Sequence, residues 1–279
     1  MRFEKKEDQV LEEIDKMKSR ICGLDTRGTY HSNSIGELTR GCKICTNMKS
    51  MTFILGYRCN ASCDFCFAEA YQGKKPDDDE KYIRQACLKD LLRRKDDIDG
   101  VGFTGGETML YINEIEEYAN IIKAQKPGIF LWVYTNGIDA DRQKMEVLKS
   151  SGIDEIRFNL AASDYSSKVI DKLKTARDIF SHLAVEVPAY PRQRQSLMDS
   201  LAKLSYYSID QLTLQELLVN ENNINRLEGE GYQSGTMFFK KYFLYGSRKM
   251  TYEVIQHCIK RGYDFTLNDC SSRRFGRVK

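Results

Sequence analysis

Gly56-Tyr57-Arg58-Cys59-Asn60-Ala61-Ser62-Cys63-Asp64-Phe65-Cys66-Phe67 sets three cysteines at C-x3-C-x2-C spacing directly after an apolar run, Met51–Tyr57. Three thiolates on one loop can bind three corners of a cubane iron–sulfur cluster and leave its fourth iron open. An open position is what separates a catalytic metal site from a structural one. Zinc on the same three cysteines is the alternative. A four-cysteine zinc site, however, asks for two separated C-x2-C pairs, and an x3 spacing is not the usual finger arrangement.

Outward from this loop the chain repeats one pattern. Apolar β-type runs recur at Val101–Thr104, Ile129–Tyr134, Glu155–Leu160, Leu183–Val187 and Gln211–Leu217, with helical patterns at 80–95, 108–124, 140–150, 165–180 and 194–206 between them. Continuous apolar runs suit strands covered on both faces. Their alternation with helices predicts right-handed βαβ units. Six such strands predict an α/β fold, a partial (β/α)6 TIM-type barrel of parallel strands, short of a closed eight. The barrel is expected over residues 51–218, with an N-terminal extension over 1–50 and a C-terminal one over 219–279. The first opens with an amphipathic helix over 5–20 (Val10, Leu11, Ile14, Met17) and continues as an irregular cysteine-containing segment. The second carries a polar helix near 221–228 and an aromatic patch (Phe238, Phe239, Tyr242, Phe243, Tyr245). A helix near 250–261 and a last strand at Asp264–Leu267 follow.

The 279 residues are 41% apolar and 30% charged, enough for a full core without disulfide staples. Lys plus Arg exceed Asp plus Glu by 43 to 40, too small an excess to argue for nucleic acid. The basic tail Arg273–Lys279 reads as a solvated terminus. No apolar run approaches the ~20 residues of a membrane helix, and the charged N-terminus lacks a secretion h-region. A cytoplasmic protein is expected, where clustered cysteines mean metal or catalysis before disulfides.

Phe103-Thr104-Gly105-Gly106-Glu107 ends the second strand. Its glycines let backbone approach a ligand, and Glu107 can take a cationic amino group in a charge-assisted hydrogen bond. Taken alone, the stretch is a turn entering a helix, with Glu107 in its favourable first turn. Among the other cysteines, Cys87 and Cys258 fall on apolar stripes and read as core. Cys42 and Cys45 form a C-x2-C in Gly41-Cys42-Lys43-Ile44-Cys45, which is metal-ligand spacing. With Cys270, and Cys22 as a candidate fourth ligand, they are expected to form a second metal centre. Three protein ligands suit an auxiliary Fe–S cluster, and four suit a structural zinc or iron site. Glu216 ends strand six, where it would face a substrate in the barrel mouth.

The cysteine loop after strand one and Gly-Gly-Glu at the next strand end together resemble the radical S-adenosylmethionine (SAM) superfamily. That resemblance implies a [4Fe–4S] cluster on Cys59, Cys63 and Cys66, with SAM chelated to its open iron. One-electron reduction then yields a 5′-deoxyadenosyl radical, fed by a donor such as flavodoxin or ferredoxin. It also implies that Phe65 lies near the adenine and that Gly105, Gly106 and Glu107 hold the methionine moiety. Thr135 and Asn136 of Tyr134-Thr135-Asn136-Gly137 would line the site, unless this is a plain Asn-Gly turn. Asn159 would meet the ribose, and Val187 and Pro188 would wall the adenine. Gly-Cys-Lys-x-Cys, Asp154–Phe158, Glu186–Pro191 and the terminal Cys-Ser-Ser look like a subgroup described as related to pyruvate formate-lyase activating enzymes.

The expected activity is hydrogen abstraction from a small-molecule or nucleoside-like substrate, assisted by the second centre through sulfur insertion or electron transfer. No segment resembles a leader-peptide-binding domain, which weighs against the alternative of a peptide- or protein-modifying activase or maturase. The competing class is a non-catalytic Fe–S electron carrier or redox sensor, which has no use for Gly105-Gly106-Glu107.

Overall fold

The computed structural model describes residues 1–25, 32–68, 77–235 and 240–271. In chain order the elements are β1 (Arg2–Lys5), α1 (Glu7–Lys18), β2 (Ser32–Ile35), α2 (Arg40–Thr46), β3 (Ser50–Ile54), α3 (Asp77–Arg94), β4 (Gly100–Thr104), α4 (Ile112–Gln125) and β5 (Phe130–Thr135). They continue with α5 (Arg142–Ser150), β6 (Glu155–Phe158), α6 (Ser167–Ile170), α7 (Lys172–Ile179), β7 (His182–Pro188), α8 (Arg194–Tyr206) and β8 (Gln211–Gln215). The C-terminal part holds β9 (Leu218–Val219), β10 (Glu230–Gly235), β11 (Lys240–Leu244), α9 (Ser247–Arg261) and β12 (Thr266–Cys270).

The main sheet runs β2-β12-β8-β7-β6-β5-β4-β3, parallel throughout except where β2 pairs antiparallel with β12. The six expected strands are therefore there, in order, as an open parallel barrel. β12 adds a seventh parallel strand, in register from Thr266↔Gln211 to Cys270↔Gln215, starting two residues beyond the expected Asp264. Core side chains such as Phe53, Phe103, Leu131, Ile156, Leu183 and Leu214 are fully buried on the helix-facing side. Burying each contributes ~1.5–3 kcal/mol, and alternation turns their neighbours inward.

The inner face is polar: Thr52, Thr104, Tyr134, Glu186 and Gln215 line a cavity at the strand C-termini, the end where barrel enzymes place their sites. Deeper, Trp132 lies across Gly102, whose added Cβ would meet the indole Nε1 at 2.5 Å.

Three expectations are corrected. Residues 21–50 are not irregular throughout, because α2 and β2 lie within them. α2 packs inside the sheet: a Cβ on Gly41 would meet Arg157 Nη2 at 2.4 Å, and one on Gly100 would meet Ile44 at 3.2 Å. The polar helix expected near 221–228 is a run of turns. Its asparagine side chains compete with the backbone: Asn223 Oδ1 accepts from Asn220 N (2.9 Å) and Asn220 Oδ1 from Asn222 N (3.1 Å). The helix expected over 5–20 runs Glu7–Lys18, and Arg2–Lys5 ahead of it form β1 in a second sheet, β1-β10-β11-β9. Tyr242, Phe243 and Tyr245 of the aromatic patch pack on the core, while Phe238, Phe239, Ser272 and the tail 273–279 lie outside the described residues. Cys258 is buried and Cys87 half-buried against the core, as their stripes implied.

Candidate active site

The cysteine loop leaves β3 and crosses the mouth of the barrel. Cys59, Cys63 and Cys66 are half-buried on the wall of one cavity of about 380 Å³. Burial, reinforced by the charges of Cys66 and Cys59, pushes the Cys63 thiol up to about 12. Burial likewise raises Cys59. Such thiols stay protonated near neutral pH until a metal takes the place of their protons. Three soft donors along one wall suit a [4Fe–4S] cluster with one open iron.

The loop is fixed on three flanks. On the first, Gly106 N donates to Gly56 O (2.9 Å) and Glu107 N to Arg58 O (2.7 Å). Gly105 sits at φ +144°, and a Cβ there would meet Gly56 O at 2.1 Å; at Gly106 it would meet Arg58 O at 2.0 Å. The glycine pair is thus demanded by the packing of the loop as well as by ligand approach.

On the second flank, Glu80 Oε1 accepts from Tyr57 N (2.9 Å) and from Tyr111 Oη (2.8 Å), while Tyr111 Oη accepts from Arg58 N (2.8 Å). The Arg58 guanidinium lies 4.5 Å from the Tyr111 ring centre. On the third flank, the asparagine-rich turns cap the loop's carbonyls. Asn223 Nδ2 donates to Phe65 O (3.1 Å), Asn220 and Asn222 donate to Phe67 O (2.8 and 2.9 Å), and Arg226 donates to Cys63 O and Cys66 O (2.9 and 3.2 Å). The clustering of asparagines over 220–225 was the available signal, since such residues favour turns and carbonyl capping.

Glu107 is buried and accepts from Thr135 Oγ1 (2.6 Å), Asn136 N (2.7 Å) and Met109 N (2.9 Å). Burial raises its carboxyl, and these three donors oppose that by favouring the anion. A carboxylate has about four acceptor positions, so one remains for a ligand. Asn136 Nδ2 in turn donates to Asn60 Oδ1 (2.6 Å) in the cysteine loop.

Phe65 lines the cavity and meets Tyr190 edge-on, with ring centres 6.0 Å apart. Gly105, Gly106, Glu107, Thr135, Asn136, Asn159 and Pro188 line it too. Asn159 Oδ1 is a buried acceptor without a partner, suited to a ligand hydroxyl. Val187 is not brought there. Strand alternation turns it into the core and puts Glu186 on the cavity side instead. Glu216 reaches the wall, but its carboxylate accepts from Ser271 Oγ (2.6 Å) and from Tyr232 Oη, tying the mouth to the second sheet.

The cavity floor was not read from the sequence. Glu186 accepts from Arg157 Nη1 (2.9 Å) and from Gln215 Nε2, and Arg157 Nη1 also reaches Tyr134 Oη (3.2 Å). Two-residue periodicity back from Pro188 and Gln215 would have found these inward positions. Glu107, Glu186 and Glu216 line the cavity, and among its described lining residues there is no Lys, Arg or His. The walls favour a cation, as the SAM sulfonium and ammonium are.

Cys42 is buried inside the barrel, where its Sγ accepts from Gln211 Nε2 (3.0 Å). Cys45 and Cys42 lie close enough to Cys270 for their charges to add to the burial that raises its thiol. Cys22 is exposed in the segment before β2. Among the described residues no helix is long and apolar enough to cross a membrane.

Residues 53–184 match the family described as Radical SAM superfamily. A Methanocaldococcus jannaschii protein, provisionally named as a glycyl-radical enzyme activating enzyme, is 22% identical over 221 residues, 73% of this chain and 56% of that protein. The chain thus spans little more than half the length of that curated relative. Streptococcus suis SuiB, solved bound to its precursor peptide SuiA, superposes with a TM-score of 0.54 at 12% identity, over 95% of this chain and 52% of that one. Coproporphyrinogen III oxidase (HemN) from Escherichia coli superposes at 0.55 and 11% identity, over 89% and 61%. The cysteine loop, the Gly-Gly-Glu strand end and the open parallel barrel converge with the family match: residues 53–184, a little under half of this chain, form a radical SAM domain.

Proposed function

We propose that the chain binds SAM at a [4Fe–4S] cluster on Cys59, Cys63 and Cys66 and abstracts a hydrogen atom from a small molecule seated on the barrel floor. The observation that carries this reading is that one cavity joins all three cysteines, the Gly105–Glu107 strand end and the polar floor of Tyr134, Glu186 and Gln215. Cluster and SAM together supply one-electron cleavage of the sulfonium to a 5′-deoxyadenosyl radical, the electron coming from a carrier such as flavodoxin or ferredoxin.

The chain's own residues bind and orient. Glu107 offers its spare acceptor position to the methionine ammonium, and Asn159 Oδ1 accepts from a ribose hydroxyl. Phe65 and Pro188 bound the adenine. Glu186, Gln215 and Tyr134 hold the substrate through hydrogen bonds, and the depth of the floor keeps water from the reacting atoms.

Anaerobically reconstituted protein given SAM and dithionite is expected to release 5′-deoxyadenosine. None above background, with the cluster intact, refutes the reading. A second reading, in which a protein is the substrate, is favoured by the name of the M. jannaschii relative. It predicts a backbone glycyl radical signal, seen by electron paramagnetic resonance (EPR), in a partner protein mixed with the reduced enzyme.

A further inference from the structure

Three cysteines outside the cavity wall come near one another from two distant parts of the chain: Cys42 is buried, Cys270 half-buried and Cys45 exposed. Cys42 and Cys45 stand one helical turn apart on α2, a spacing that puts side chains on neighbouring positions of one face. Cys270 ends β12, two residues past Asn268 and so on the same strand face. A hydrogen-bonded chain joins the two segments: Gln211 Nε2 donates to Cys42 Sγ (3.0 Å) and to Thr213 Oγ1 (2.7 Å), and Asn268 Nδ2 donates to the same Thr213 Oγ1 (3.3 Å). Cys270 pairs in register with Gln215, which lines the cavity floor.

A second observation points to a ligand here. Arg157 is 3% exposed, yet its Nη2 has no hydrogen-bond partner. That nitrogen lies against α2, 2.4 Å from where a Cβ of Gly41 would stand, beside Cys42. The charge itself is met by Glu155 and Glu186, so what remains beside Cys42 is one buried N–H donor whose lack of an acceptor costs stability. Residue 41 as glycine is what lets the helix approach that closely. Thiolates and bridging sulfides are anions, and N–H donors around the sulfurs are how proteins tune such centres.

A single zinc ion fits less well. Among the described residues no three His, Cys, Asp or Glu side chains are gathered as ligands of one metal ion, and this holds equally for Cys59, Cys63 and Cys66. We propose that Cys42, Cys45 and Cys270 hold a second iron–sulfur cluster inside the barrel, flanked by Gln211 and Arg157 and adjacent to the cavity floor through Gln215. Three protein ligands would leave such a cluster one coordination position for a further donor.

The test is metal content after anaerobic reconstitution. A Cys59/Cys63/Cys66→Ala triple variant, shown to be folded by circular dichroism, is expected to retain about four iron and four sulfide per chain. Adding Cys42→Ala or Cys270→Ala is expected to abolish both. A folded triple variant with no iron, or with one zinc instead, overturns the proposal. Should the triple variant fail to fold, Cys42→Ala alone decides. Iron is expected to fall from about eight to about four per chain, while the SAM-induced change in the EPR signal of the remaining cluster persists. Unchanged iron refutes the second site, whereas loss of the SAM-induced change counts against the first site and not this one.

Discussion

Asn136 donates its backbone N–H to Glu107 Oε2 at 2.7 Å, so the end of β5 and the end of β4 are held as one unit. The side chain of the same asparagine reaches Asn60 in the cysteine loop at 2.6 Å. Three stretches far apart in the chain therefore report on one another, and disturbing any of them should be felt at the metal.

Gly106→Ala is expected to expel the loop. Its methyl group would sit 2.0 Å from Arg58 O, a backbone atom with no freedom to retreat. Overpacking of this kind typically costs ~1–3 kcal/mol. Iron content after reconstitution should fall below half of wild type, with a lowered melting temperature and an unchanged far-ultraviolet spectrum.

Glu107→Gln is expected to separate structure from ligand binding. Three donors converge on this carboxylate, and an amide presents one oxygen and a donor of its own. The misfit should cost ~1–3 kcal/mol of stability. SAM affinity, measured by calorimetry on the loaded protein, should weaken at least ~10-fold, equivalent to ~1.4 kcal/mol. Full SAM affinity in this variant would remove Glu107 from the ligand's contacts.

Tyr111→Phe tests the second flank. The hydroxyl both donates to Glu80 and accepts from Arg58 N, at 2.8 Å each. Deleting it leaves a buried carboxylate and an amide short of a partner, at ~1–3 kcal/mol. Faster hydrogen exchange at residues 57–59 and a shifted cluster EPR signal are the expected readouts. A loss of stability with neither change would confine Tyr111 to packing.

Arg157→Met should be the most damaging of the four. The guanidinium pairs with Glu155 Oε1 and with Glu186 Oε2, and it stacks 5.1 Å from the Trp132 ring. Removing the cation leaves two buried carboxylates facing one another, a change worth ~3–5 kcal/mol. Arg157→Lys keeps the charge without the planar fork and should recover only part of the loss. Because Trp132 is the chain's single tryptophan, its fluorescence maximum should register both substitutions during urea unfolding.

The barrel was legible because each strand carries a continuous apolar run, and the site because cysteine spacing and Gly-Gly-Glu are local patterns with a chemical reason. What escaped was non-local. Nothing in Thr266–Cys270 announces that it pairs beside β8, since so short a run, Thr-Leu-Asn-Asp-Cys, fits many edges. The extended stretch Arg2–Lys5 becomes a strand only because Glu230–Gly235 lies beside it. Glu186 reads as a polar residue within an apolar run, and its place on the floor follows from the register that points Val187 the other way. Glu216 stands at a strand end as expected, yet Tyr232 and Ser271 already hold it.

The pairing of β2 with β12, Ile35 opposite Leu267, has a consequence for timing. The sheet's far edge is joined from segments more than two hundred residues apart, so its closure carries a larger loop-entropy cost than the local βαβ pairings. Until then β8 presents a bare edge, the kind of surface that recruits neighbouring chains. On the ribosome, the Cys59–Cys66 loop is complete while that edge is still open, and Cys270 has yet to emerge. Any centre built on Cys270 therefore waits until residue 270 has been made, which makes the order of metal loading a property of the chain's own topology.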